Sequence, residues 1–217
     1  MKTITVKGIG NASVKPDLIV LSLLLSSKSK DYEAAMESAA MKISELNKSL
    51  EKIGFEKESV KTTDFNVYTE YESKKDRNGN YLRVFDGYVV KHHLKVSFDF
   101  DTKVLGQALG TIASCVAEPE LSVSFTVKDS SDINEALLKS AAENAKKKAE
   151  ILCVASGVSL GDLVNIDYNW GELNIYSHTR YEMESDCMEK CCALDSIDIE
   201  PEDINVNDTV TFVWQIN

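Results

Sequence analysis

Residues 3–25 read TITVKGIGNASVKPDLIVLSLLL, and the fold is organised around them. Ile4 and Val6 alternate with Thr3, Thr5 and Lys7, the period of a half-buried strand. Gly8 and Gly10 are expected to end that strand, because glycine reaches backbone angles closed to other residues. Pro16 lacks an N–H and suits a strand start or edge, so Lys15-Pro16-Asp17 predicts a turn. Leu18 to Leu25 is apolar except for Ser22 and too short to cross a membrane as a helix, which predicts a central strand covered on both faces.

Outward from this core, Asp31 is placed to cap a helix with apolar positions Met36, Ala39, Ile43, Leu46, Leu50 and Ile53, ending at Gly54. A strand follows with Phe65, Val67, Thr69 and Tyr71 on one face and Asp64, Asn66, Tyr68 and Glu70 on a wetter one. Asn78-Gly79 suits a hairpin turn. Tyr88 to Phe100 then alternates, with His92 on the apolar side as a hydrogen-bonded core or rim residue in preference to a metal or catalytic one.

Asp101 starts a short helix with Leu105, Leu109, Ile112 and Val116 inward, and Leu121 to Val127 form another strand. Asp132 and Glu135 have capping-box spacing before a long helix whose inner face is Leu137, Ala141, Ala145, Ala149 and Leu152, with Gly157 as its stop. The small alanines let that helix lie close to a sheet. Leu163 to Tyr176 holds at least one strand, and Val210, Phe212, Trp214 and Ile216 mark the last one. Residues 177–203 have no clear period and predict a long loop or mobile excursion.

The 217 residues are 43% hydrophobic and 27% charged with only 3 prolines, the composition of a compact folded chain. A net charge of -11 argues against nucleic acid or anionic membrane as a partner, since phosphate binding draws on clustered Lys and Arg. The one basic run, Lys146 to Lys148, fans over a helix surface and reads as a solvated face. Met1-Lys2 leads into a strand without a secretory h-region, and five cysteines, an odd number, suit a reducing compartment. The expected location is the cytoplasm; a leader missing from this sequence would make the protein exported.

The order of several motifs resembles the SIMPL domain family. They are Val6 to Gly10, Val14 to Asp17, the helix ending at Gly54, Thr62 before the Phe65 strand, Gly87-Tyr88, Phe125, and the Ala-rich run Ala141, Ala142, Ala145, Lys148, Ala149 and Glu150. The resemblance spans nearly the whole chain. It implies an α+β protein with mixed or antiparallel sheets packed by helices, and the helices read above would be the long N-terminal helix, the short middle helix and the long Ala-rich helix of that fold. Residues 1–217 are expected as a single unit, with two interleaved α+β subdomains as the alternative division. Some relatives assemble into large rings, many bacterial ones resemble stress-associated envelope proteins, and an animal relative is a signalling adaptor. The resemblance brings no catalytic residues, cofactor or metal.

Residue chemistry adds one local cluster. Cys187, Cys191 and Cys192 bring thiols to one helix face if that stretch is helical, where they could bind a soft metal or form a disulfide, with His178 the nearest other ligand. The spacing does not repeat as structural zinc motifs do, so incidental surface thiols are the simpler reading. Cys115 and Cys153 sit among apolar residues as small buried hydrophobes. Asp195, Asp198, Glu200, Glu202 and Asp203 lack the spacing and glycine of a calcium loop. Gly8-Ile9-Gly10 lacks a third glycine and a following helix, so it is not a phosphate loop. The expectation is a non-enzymatic protein that acts by self-assembly or by binding a protein partner, without membrane insertion. The alternative is a thiol-dependent redox or metal-responsive protein.

Overall fold

The computed structural model describes residues 2–75, 77, 79–169, 173–183 and 199–217. Among these residues are eight strands and three α-helices: β1 Thr3–Val14, β2 Leu18–Ser29, α1 Tyr32–Glu51, β3 Lys61–Lys75, β4 Tyr81–Asp99, α2 Thr102–Ala113, β5 Glu120–Thr126, α3 Ser131–Ala155, β6 Leu160–Asp167, β7 Tyr181–Met183 and β8 Ile204–Ile216. The chain divides into two compact units, Met1–Asp17 with Thr126–His178 and Pro201–Asn217, and Leu18–Phe125 with Thr179–Glu200.

This architecture corrects the expected fold class. The chain opens with two long strands, and no long helix stands at its N-terminus. Sheets dominate, and they are largely antiparallel: β1–β8, β6–β8, β2–β4, β3–β4 and β5–β7 all pair in that sense. The long first helix comes only after β2, because the polar Ser26 to Ser29 extends β2 beside Lys91 to Tyr88. Asp31 then caps α1 by accepting a hydrogen bond from the Ala34 N–H at 2.9 Å.

In the first unit the sheet order is β1-β8-β6, and α3 packs on β1 and β8. Gly8 and Gly10 do not end β1; they lie inside it, paired with Val210 and Asp208. Their role is clearance. A Cβ at Gly8 would collide with the Ala141 carbonyl oxygen and come within 2.8 Å of the Ala145 Cβ, and one at Gly10 would strike the Leu137 carbonyl oxygen. Small residues on both elements bring backbone to backbone, and Val6, Ala141, Ala145, Ala149, Val210, Phe212 and Trp214 close the core. Helix α3 begins at Ser131, so Asp132 lies in its first turn rather than at a cap, and Glu135 pairs with Lys139. Leu152 is exposed, and Cys153 takes the inner position one residue later.

In the second unit the order is β3-β4-β2-β5-β7. β2 is central as expected, but its second face is only partly covered: Val20 on that face is buried, and the cover runs out along the strand. Ile19, Leu21, Leu23 and Leu25 are buried beneath the helices, while Ser22 and Ser26 are exposed and Leu24 is half-buried. Asp101 caps α2 by accepting from the Lys103 and Val104 N–H groups at 2.8 and 3.1 Å. Leu105, Leu109 and Ile112 join Leu46, Leu50, Leu94 and Phe125 in the core. Val116 lies beyond the helix end and is 85% exposed. Within the expected loop 177–203, Tyr181–Met183 forms β7 against Leu121 to Val123.

Candidate interaction site

Among the described residues, the β3–β4 hairpin leaves a run of large apolar side chains uncovered. Phe65, Val67 and Thr69 stand opposite His92, Val90 and Tyr88, so they belong to the face that carries the core. That face should be covered. Helix α1 packs on β2 and β4, however, and leaves β3 outside it. Phe65, Val67, Tyr71, Tyr81 and Phe85 are all exposed, Tyr81 by 69%. The sequence had predicted one wetter face for this strand, whereas most of β3 is exposed on both.

The rings on this face touch in series. Tyr32 of α1 meets Tyr88 edge-on at 5.5 Å, Tyr88 meets Phe85 at 5.2 Å, and Phe85 meets Tyr71 at 6.0 Å. The Arg83 guanidinium lies over Tyr71 at 4.8 Å, and Lys75 lies over Tyr81 at 5.2 Å. This is an aromatic strip with cations at its outer end.

Two devices hold the hairpin to the sheet. Lys28 of β2 forms ion pairs with Glu70 at 2.7 Å and with Asp86. The hydrogen bond from Lys28 holds the Asp86 carboxyl below its ordinary range, and the same bond raises the Lys28 ammonium. Gly87 next to it has φ +149, and a Cβ there would come within 2.8 Å of the Ser29 carbonyl oxygen. Asp86 is the extra residue at this point, since Glu70 pairs with Gly87 and Tyr71 with Phe85. At the turn, Gly79 has the positive φ expected of it, +86, while Asn78 lies outside the described residues.

His92 is a half-buried rim residue, as its place on the apolar side implied. Its Nε2 is 2.8 Å from Thr62 Oγ1, and the Phe65 ring meets it edge-on at 5.1 Å. Burial, with a smaller contribution from His93, holds its pKa below 6.5. The opposite face of the sheet has an open trough lined by Ser22, Leu24, Thr63, His93, Glu120 and Glu182. Among the described residues, no group of three His, Cys, Asp or Glu is placed to hold a metal.

The thiol cluster Cys187, Cys191 and Cys192 lies outside the described residues, as do Asp195 and Asp198. Cys115 and Cys153 are free and buried, as expected. Glu200, Glu202 and Asp203 are exposed. In the basic run, Lys146 and Lys147 are exposed, while Lys148 donates to the Lys7 carbonyl at 3.2 Å. Among the described residues, no helix is long and apolar enough to cross a membrane.

Two largely antiparallel sheets, three helices and an uncovered aromatic hairpin define a sheet-based, two-unit protein. The chain belongs to the SIMPL family, described as a protein of unknown function (DUF541), whose model matches residues 4–214. A comparison with curated proteins finds no match. The family resemblance read from the motif order is thereby confirmed. The β3–β4 strip was missed, although its alternation was legible, because the sequence does not say which strands the helices cover.

Proposed function

We propose that this SIMPL-family protein acts by binding, through assembly of its own chain, rather than by turning over a substrate. The supporting observation is the aromatic strip of β3 and β4, apolar on the core side of its sheet and left bare by α1. Water against several adjacent rings is unfavourable by about 25 cal/mol for each Å² that a partner could cover, so such a patch marks a contact surface. Residues 177–203 belong to the same reading as a second contact region.

Light scattering behind size-exclusion chromatography, with and without reductant, tests this function. The expected result is a multiple of the chain mass, unchanged by reductant. A monomer at every concentration, or turnover of a defined substrate abolished by a single substitution, overturns it. An assembly that dissolves on reduction would move the function to the thiols.

A further inference from the structure

Among the described residues, β3 is the outer strand of its sheet, paired with β4 on one side only. From Asp64 to Lys75 it has no proline and no extra residue; the irregularities are Thr63, just before this run, and Asp86 across from it. A long edge strand without proline is a template for another strand, and the charges it carries limit which registers are open to it. Resting on the assembly reading above, we propose that β3 pairs antiparallel with β3 of a second copy, about a two-fold axis passing through Thr69.

The register follows from faces and charges. A two-fold axis relating neighbouring antiparallel strands stands perpendicular to the sheet and keeps each face on its own side. It must therefore pass through a residue, because an axis between residues would set inner side chains against outer ones. Through Thr69, Val67 faces the partner's Tyr71 and Phe65 faces the partner's Ser73, so the two bare strips merge. Asp64 faces the partner's Lys74, and symmetry makes this pair twice.

Nearby registers fail on charge. An axis through Tyr68 sets Asp64 against the partner's Glu72 and Lys61 against the partner's Lys75. Through Val67 it sets Asp64 against the partner's Glu70. Through Tyr71 it opposes Glu70 to the partner's Glu72, and through Glu70 or Glu72 it opposes that residue to its own copy. Of the centres from Val67 to Glu72, Thr69 is the one that sets no like charges from Asp64 to Lys75 against each other while pairing Asp64 with Lys74.

The test is charge reversal at two exposed positions, Asp64→Lys and Lys74→Asp, alone and together in the full chain, read by light scattering across a dilution series. Each single change sets two like-charged pairs across the axis and is expected to weaken association roughly ten-fold or more, and the double change to restore it. Circular dichroism should be unchanged in all three. If the singles associate like the unaltered chain, or the double stays dissociated, the Thr69 pairing is overturned while assembly stands. If the unaltered chain is monomeric throughout, the assembly reading falls with it.

Discussion

Gly8 of β1 lies directly against the backbone of Ala141 in α3, so close that no side chain fits between them. The first prediction follows from this contact. Gly8→Ala must push the helix away or distort the strand, and is expected to cost about 1–3 kcal/mol, read as a lower denaturant midpoint. Ala142→Leu, at an exposed position on the same helix, should leave the midpoint nearly unchanged. Equal midpoints for the two variants would contradict the close packing of β1 on α3.

Two phenylalanines of the second unit separate stability from binding. Phe125 is fully buried, and Phe125→Ala is expected to cost about 3–5 kcal/mol through lost transfer energy and a cavity. Phe65 is 43% exposed, and Phe65→Ala should change stability by less than about 1 kcal/mol while reducing the assembled mass. A Phe65 variant that assembled normally would count against the aromatic strip as the contact surface.

Asp101 closes the start of α2 with hydrogen bonds to two otherwise unpaired N–H groups. Asp101→Ala is expected to cost about 1 kcal/mol, and Asp101→Ser to recover most of it. Thermal unfolding of the three proteins checks this.

His92 should titrate below 6.5, because burial disfavours its charged form. Between 6.5 and its lowered folded-state pKa, the unfolded chain binds more protons, so this contribution to stability is complete above 6.5 and declines as pH falls through that window. Imidazole NMR shifts give the midpoint, and His92→Gln should flatten the slope of stability against pH there. A His92 midpoint at or above 6.5 would contradict its placement.

How much was legible depended on how local the cause was. Asp31 and Asp101 cap their helices through hydrogen bonds within three residues, so their positions could be read directly. The expected Asp132 cap failed because α3 starts at Ser131 with Ser130 as its N-cap residue, and Asp129 accepts from the Ser131 N–H just ahead of it. The strip residues Phe65, Val67 and Tyr71 were assigned to one face correctly. What was illegible was that, among the described residues, no helix packs over them.

By itself the sequence determined the alternation of β1, β3, β4 and β8, the apolar stripes of the three helices, most of the helix ends and the family, because periodicity, caps and motif order are local properties of the chain. The tertiary structure decided the rest. It made Gly8 and Gly10 points of contact instead of strand ends, left β2 exposed on one face at Ser22 and Ser26, found β7 a partner in β5, and, among the described residues, set β3 at the edge of its sheet. Each of these depends on which distant segment arrives beside a given strand, and the free energy of that contact belongs to both partners together.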